Sequence, residues 1–118
     1  MMLAERMELL TKRPQGTLFP PAQNRAAWEA LPADDRMDME TFIAKWRGTP
    51  YPMLLLSDYA AFVRTGSRAQ CETPYFARRR KLIAAVLDVC LHGESADLSP
   101  VEDGLWCICE ETTWAISA

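Results

Sequence analysis

The stretch SDYAAFVRTGSRAQCETPYFARRRKLIAAVLDVCLHG, residues 57–93, predicts two helices separated by a tight joint. Ser57 is suited to cap the first helix, because its hydroxyl oxygen can accept a hydrogen bond from one of the unpaired N–H groups at a helix start. Gly66 is suited to end that helix, since glycine enters the left-handed conformation without a steric penalty from Cβ. Thr73 followed by Pro74 predicts the start of the second helix, with threonine as the cap and proline at the first helical position.

The second helix is expected to be the longest in the chain and to end at Gly93. Its apolar residues recur in adjacent pairs at helical spacing, which predicts one buried face. The pairs are Tyr75/Phe76, Leu82/Ile83, Val86/Leu87 and Cys90/Leu91. Residues 57–93 are therefore predicted to form a helical hairpin with an arginine-rich joint.

Length and composition predict one globular domain spanning residues 1–118. The chain is 49% hydrophobic and 25% charged, which is ordinary for a soluble protein. Its formal net charge of −3 argues against a nucleic-acid binder, whose surface is normally basic. Residues 1–10 mix acidic with apolar residues, so we do not expect them to be a signal peptide, and no apolar run approaches the roughly 20 residues needed to cross a membrane. With Met1 as the true start, we expect a cytoplasmic protein.

The cysteines and the single histidine do not form a recognisable metal, cofactor or catalytic motif. Cys71, Cys90, Cys107 and Cys109 contain no CxxC pair, so we expect free and mostly buried thiols. His92 lies near a predicted helix C-terminus, where a positive charge is favourable, and a solvated or capping role is expected. We therefore assign no catalytic residue, no metal site and no cofactor.

The rest of the chain is predicted to be helical as well, with proline-rich turns. The first helix covers residues 3–12, and Leu18 and Phe19 are expected to anchor the connection that follows. Asn24 caps a short helix in which Trp28 and Leu31 share a side, and Pro32 ends it. The next helix starts at Asp34, ends at Gly48, and has its apolar face at Met37, Phe42, Ile43 and Trp46. Residues 53–56 fit either a strand or a buried lead-in.

The last helix is predicted from a capping box at Ser99 and Glu102, with Pro100 at the first helical position. It is expected to continue towards Trp114 and to end abruptly at the chain terminus. No strand pattern and no internal repeat is apparent. We predict an all-α fold of five or six helices that form antiparallel helical hairpins.

The arginine-rich joint allows three interpretations. Residues 78–81, RRRK, form the densest basic run, and they point around a full helical turn. They are expected to form a solvated face, although an anion site is possible for an acidic sugar or carboxylate. Buried pairing of arginine with Glu72, Glu102 or Glu110 is the third alternative. The ion-pair or anion candidates are Arg64, Arg68, Glu72, Arg78 and Arg79.

The last helix carries the candidate substrate-binding residues. Trp106 and Trp114 are eight residues apart, so on a helix they would share one side, where they are suited to stack on sugar rings. Asp103 and Glu110 also have a spacing that suits paired carboxylates, although surface acids are the more common explanation. The candidates for substrate binding are Trp106, Glu110, Glu111 and Trp114.

Two blocks of sequence resemble the N-terminal part of heparinase II/III-like proteins, in particular uncharacterised bacterial members. The first block is RTGSRAQCETPYFARRRKL, residues 64–82, and the second is VEDGLWCICEETTWAI, residues 101–116. The segments WEALP and PYP, at residues 28–32 and 50–52, fit the same pattern. The resemblance thus covers nearly the whole chain.

This resemblance implies part of an (α/α) toroid, a ring of paired helices that is usually followed by a β-sandwich domain. Similar enzymes cleave acidic polysaccharides by β-elimination, using tyrosine or histidine as the base while a polar side chain neutralises the uronate carboxylate. Those proteins are several times longer, and their catalytic residues follow the point at which this chain ends. The resemblance therefore implies an N-terminal toroid segment that is inactive alone.

Two functional hypotheses follow from the sequence. The first is the lyase segment, whose partners would be the rest of the toroid and an acidic polysaccharide. The alternative is a self-standing helical module that binds another protein through an exposed apolar face. Nucleic-acid binding through the basic run at residues 78–81 is the weakest hypothesis.

Overall fold

The structure is a computed structural model, and it describes residues 19–118. This part of the chain contains helices and no strand, which confirms the all-α prediction. Its helices are α1 (Arg25–Glu29), α2 (Ala33–Trp46), α3 (Leu56–Tyr59), α4 (Ala61–Thr65), α5 (Ala69–His92) and α6 (Ser99–Cys109), with a 3₁₀ turn at Gly93–Ser95. The helix predicted at residues 3–12 and the anchoring role of Leu18 lie outside the described residues.

Helix α5 is the centre of the fold, because each of the other five helices packs against it. Its 24 residues make it the longest described helix, as predicted. It ends at Gly93, whose φ of +59° is a conformation that side chains with Cβ rarely adopt. Arg25 reinforces this end by donating hydrogen bonds to the carbonyl oxygens of Cys90 and Leu91, at 2.8 and 2.9 Å. These are carbonyls that the end of a helix leaves unpaired.

The start of α5 differs from the prediction based on Thr73 and Pro74. The helix begins one turn earlier, where the N–H of Glu72 donates to the carbonyl of Arg68 and the N–H of Gln70 lies 3.4 Å from the Ser67 hydroxyl. Pro74 therefore lies inside the helix rather than at its first position. The proline removes one intrahelical hydrogen bond, and the helix continues through it.

The first half of the predicted hairpin is broken into α3 and α4. Ser57 does not cap it, because α3 begins at Leu56 and the N–H of Leu55 donates to the Asp58 carboxylate at 2.9 Å. A local carboxylate thus fills the role expected of the serine. Gly66 ends α4 with φ of +76°, as predicted. Residues 53–55 form neither a strand nor a buried lead-in, because they lie outside the helices as irregular backbone and Met53 and Leu55 are exposed.

Helices α1 and α2 form the N-terminal side of the described fold. Asn24 caps α1, with its side-chain oxygen 3.3 Å from the N–H of Ala27. Trp28, Ile43 and Leu91 form the buried core between α1, α2 and α5, and Leu31 packs against it. The apolar face predicted for α2 is thus correct at Ile43. Met37 is instead exposed.

Helix α6 starts close to the predicted position, but through different hydrogen bonds. Leu98 occupies the N-cap position, so Ser99 is the first residue of the helix rather than its cap, and its hydroxyl donates to the Asp97 carboxylate at 2.8 Å. The Asp97 side chain also accepts from the N–H of Ser99, at 2.9 Å. The helix ends at Cys109, and the chain is irregular from there. The prediction of a helix that continues to Trp114 is therefore wrong.

The described part of the chain buries few large apolar side chains. Its buried apolar residues number seven, and only Ile43 and Cys71 are almost completely enclosed. Large apolar side chains that remain exposed number fourteen, among them Phe76, Ile83 and Val86 of the face predicted to be buried on α5. Phe19, expected to anchor the chain, is also exposed. Helix α5 therefore contacts its neighbours along a narrower strip than its apolar pattern predicted.

Candidate functional site

The most enclosed charged cluster joins α5 to the segment that follows α6. Glu111 accepts hydrogen bonds from Arg79 at 2.7 Å and from Arg78 at 3.3 Å, and its side chain is only 2% exposed. The side chains of Arg78 and Arg79 are 11% and 24% exposed. Of the three interpretations of the basic run, buried arginine–carboxylate pairing is the correct one for these two arginines. The acidic partner is Glu111 rather than Glu72, Glu102 or Glu110.

Tyr75 extends this cluster along α5. The guanidinium of Arg79 lies 3.4 Å from the centroid of the Tyr75 ring, a cation–π contact that also fixes the plane of the arginine. The hydroxyl of Tyr75 donates to the carbonyl oxygen of Trp114. The backbone after α6 is thus held to α5 by one ion-pair network and by one tyrosine.

Arg78 connects the same cluster to the segment before α3. Its Nε donates to the carbonyl of Pro52 at 2.7 Å, while its Nη1 reaches Glu111. Three distant parts of the sequence, at residues 50–52, 75–79 and 111–114, therefore meet at these side chains. Two guanidinium groups share one carboxylate here, and fixed hydrogen-bonding geometry of this kind favours a positioning role.

A cavity of about 410 Å³ opens beside the cluster. Leu54, Leu55 and Leu56 form its apolar wall. Arg78, Glu110 and Glu111 supply its charged groups. This volume lies within the usual range for small-molecule sites, which are mostly apolar with a few polar groups.

The thiol in this cavity is not activated for catalysis. Burial raises the pKa of Cys107 above its ordinary value, and the negative charges of Glu111 and Glu110 act in the same direction, although Arg78 and Arg79 oppose them. A thiol must lose its proton to become a strong nucleophile, so a raised pKa disfavours that role. All four cysteines are free, as predicted, but the expectation that most are buried is wrong: only Cys71 is buried, Cys90 and Cys107 are partly exposed, and Cys109 is exposed.

The structure separates the four predicted substrate-binding residues. Glu110 and Glu111 line the cavity, and Glu111 is committed to the two arginines. Trp106 and Trp114 are 71% and 64% exposed, and they do not share a side of one helix because α6 ends before Trp114. The indole N–H of Trp114 instead donates to the carbonyl of Ile108 at 2.9 Å.

The remaining ion-pair candidates lie away from this cavity. Arg68 and Glu72 form a surface pair at 3.0 Å, one turn apart on α5. Arg64 is exposed on α4. The predicted group of five charged residues is thus divided between an enclosed cluster and the protein surface.

Sequence analysis missed a second polar contact, between Tyr51, Lys81 and α6. The Tyr51 hydroxyl donates to the carbonyl of Pro100, and burial raises the pKa of Tyr51 to about 12, with the charges of Cys107 and Asp103 adding to the effect. The buried Lys81 lies 5.1 Å from the Tyr51 ring centroid and donates to the carbonyl of Trp46 at 3.2 Å. The one signal available in the sequence was Gly104, a glycine inside a predicted helix, which often indicates close packing.

Gly104 lets Tyr51 approach α6 closely. A Cβ atom at this position would lie 2.7 Å from Cζ of Tyr51 and 2.9 Å from Cδ1 of Leu82. Real Cβ contacts are essentially never shorter than 3.0 Å, so any larger residue at this position would displace the side chains of Tyr51 and Leu82.

No group of three or more histidine, cysteine, aspartate and glutamate side chains within residues 19–118 has the geometry to hold a metal ion. Among the helices described, none combines the length and the apolar character that crossing a membrane requires.

Comparison of the sequence with protein-family models and with curated proteins finds no significant match. The functional interpretation therefore depends on the residues and on their arrangement in the fold.

Proposed function

We propose that this chain is the N-terminal helical portion of a heparinase II/III-like polysaccharide lyase, forming part of an (α/α) toroid. The enzyme class cleaves uronate-containing polysaccharides by β-elimination. In this proposal the chain contributes scaffold and one wall of a cleft, and it has no lyase activity by itself. Its partners would be the rest of the toroid and the acidic polysaccharide that the complete enzyme binds.

The observation that carries the proposal is the contact between the two sequence blocks that resemble this family. Tyr75, Arg78 and Arg79 of the first block bind Glu111 and the carbonyl of Trp114 in the second. Arg78 also binds Pro52, in the PYP segment that fits the same pattern. The residues that carry the resemblance therefore form one joint between helices, as expected if the pattern preserves a scaffold.

Exposed apolar side chains give additional support. In a toroid each helical pair packs against the next, so a terminal segment would present apolar surface to its neighbours. Leu98, Leu105 and Trp106 of α6 and its preceding turn are all exposed, as are Leu55 and Leu56 at the cavity wall. Exposed apolar side chains in this number are what a face that packs against further helices would present.

The activity of the isolated chain provides the first test. The chain is incubated with uronate-containing polysaccharides, and the absorbance of unsaturated uronate products is followed beside an active lyase as a positive control. We expect no increase in absorbance from the chain alone. A clear increase that scales with chain concentration would contradict the assignment as an inactive segment.

The same exposed surface supports a second candidate function, a self-standing helical module that binds a protein partner. Light scattering and thermal unfolding of the isolated chain separate the two. A monodisperse species with cooperative unfolding favours the module, because such a species is stable without neighbouring helices. Self-association through the exposed apolar residues favours the toroid segment.

A further inference from the structure

The single histidine of the chain connects α5 to α2 through both of its ring nitrogens. His92 is the last residue of α5, and its Nδ1 lies 2.6 Å from the Asp88 carboxylate on the same helix. Its Nε2 lies 2.8 Å from the carboxylate of Glu40 on α2. Sequence analysis predicted a solvated or capping histidine, but the ring instead bridges two helices.

A neutral imidazole cannot form a hydrogen bond to both carboxylates. A neutral ring carries one N–H and one lone pair, so only one of the two carboxylates could accept a hydrogen bond from it. The other carboxylate oxygen would face a lone pair at hydrogen-bonding distance. Only the imidazolium form donates from both nitrogens. We propose that Glu40, Asp88 and His92 form a pH-sensitive link between α2 and α5, closed when the imidazole is protonated and weakened when it is neutral.

The charges around the link favour the protonated state. Asp88 also accepts a hydrogen bond at 3.0 Å from Arg47, the residue that follows α2, so the two carboxylates have both the guanidinium and the imidazole as partners. Arg25 of α1 is nearby but is bound to the carbonyls of Cys90 and Leu91. Glu94, on the following 3₁₀ turn, adds another negative charge to this end of α5. When His92 is protonated, the net charge of the four side chains in this cluster is zero: two negative charges from Glu40 and Asp88, and two positive charges from Arg47 and His92.

The direction of the pKa shift agrees with this geometry. Partial burial of the ring lowers the pKa of His92, but the hydrogen bonds and negative charges of Asp88 and Glu40 outweigh that effect and raise it above its ordinary value. A raised folded-state pKa means that the link contributes its full stability below the ordinary value of about 6.5. That contribution is lost as the pH rises through the higher pKa of the folded protein.

The link lies beside the core of the N-terminal half. Ile43 of α2 and Leu91 of α5 are buried in that core, three residues after Glu40 and one residue before His92. Loss of the link therefore weakens the attachment of α2 to the central helix. The cluster of Arg78, Arg79 and Glu111 contains no histidine, so the charge change at His92 does not involve it directly.

Nuclear magnetic resonance of the full chain tests the proposal directly. Because the chain has one histidine, its ring proton signals are unambiguous. We expect the titration midpoint of His92 to lie above about 6.5, and the backbone signals of α2 to shift with the same midpoint. A midpoint at or below that value, or α2 signals that do not follow it, would overturn the proposal.

Two carboxylate variants provide a matched comparison. Glu40→Gln removes the negative charge of the carboxylate that is hydrogen-bonded to Nε2, whereas Glu94→Gln removes an equal charge from a carboxylate that the ring does not contact. We expect the His92 midpoint to fall in the first variant and to fall much less in the second. Equal shifts of the His92 midpoint in both variants would show that the overall negative charge nearby, rather than the hydrogen bond to Glu40, sets the pKa of the ring, and would contradict the proposal. His92→Gln should also reduce the loss of stability that begins as the pH rises above about 6.5, and a loss of unchanged size would contradict the proposal.

Discussion

Replacing Glu111 with glutamine is expected to destabilise the fold more than any other single change of a carboxylate in residues 19–118. The substitution preserves the size of the side chain and removes its charge. Arg78 and Arg79 would then be held in a largely enclosed position without an anion. Breaking a buried ion pair from one side costs about 3–5 kcal/mol. Because the arginine side chains are 11% and 24% exposed, we expect about 3 kcal/mol, the lower end of that range.

The assay is equilibrium unfolding in urea, followed by circular dichroism and by tryptophan fluorescence. For a denaturant slope of about 1–3 kcal/mol/M, a loss of about 3 kcal/mol lowers the midpoint by about 1–3 M. Glu72→Gln is the matched control, because Glu72 pairs with Arg68 on the surface and such pairs contribute about 0.3–0.5 kcal/mol. If Glu111→Gln lowers the midpoint no more than Glu72→Gln does, then the cluster of Arg78, Arg79 and Glu111 does not stabilise the fold in this way.

Three further outcomes are expected. Gly104→Ala should lower the free energy of unfolding by about 1–3 kcal/mol in the same urea assay, because its Cβ would overlap Tyr51 and Leu82; an unchanged midpoint would contradict this packing. Asn24→Ala should cost about 1 kcal/mol through loss of the α1 cap, whereas Asn24→Ser should cost much less. Stability should also fall between about pH 10 and pH 12, because the neutral phenol of Tyr51 is favoured in the folded state, where its pKa is about 12. Tyr51→Phe should reduce that decrease, with the remainder coming from the Cys107 thiol, whose pKa burial also raises, as measured by unfolding at alkaline pH with tyrosinate absorbance recorded in parallel.

Several helix ends that depend only on residues adjacent in the sequence were predicted correctly. Gly66 and Gly93 end their helices in left-handed or related conformations, and Asn24 caps α1. These assignments succeed because one residue type satisfies the backbone locally. The helix starts predicted from Thr73–Pro74 and from Ser99 as a cap were wrong for a related reason. Each has the composition of a helix start, but Ser67 and Asp97 provide competing acceptors a few residues earlier in the chain.

The candidate site could be predicted only in part. Sequence analysis selected Arg78, Arg79 and Glu111, and it included buried ion pairing among the alternatives. It did not join Glu111 to the arginines, because residues more than 30 positions apart are brought together by the packing of α6 on α5. The link at His92 was missed for the same reason. Its second carboxylate, Glu40, is 52 positions away on another helix.

Transplantation into a complete enzyme tests the central claim most directly. The corresponding helical segment of an active heparinase II/III-like lyase is replaced by residues 1–118, and β-elimination is measured by the absorbance of unsaturated uronate. We expect the chimera to fold and to retain activity, and the same chimera with Glu111→Gln to lose stability. A chimera that unfolds cooperatively and is monodisperse, yet has no lyase activity, would contradict the assignment of this chain as a lyase toroid segment.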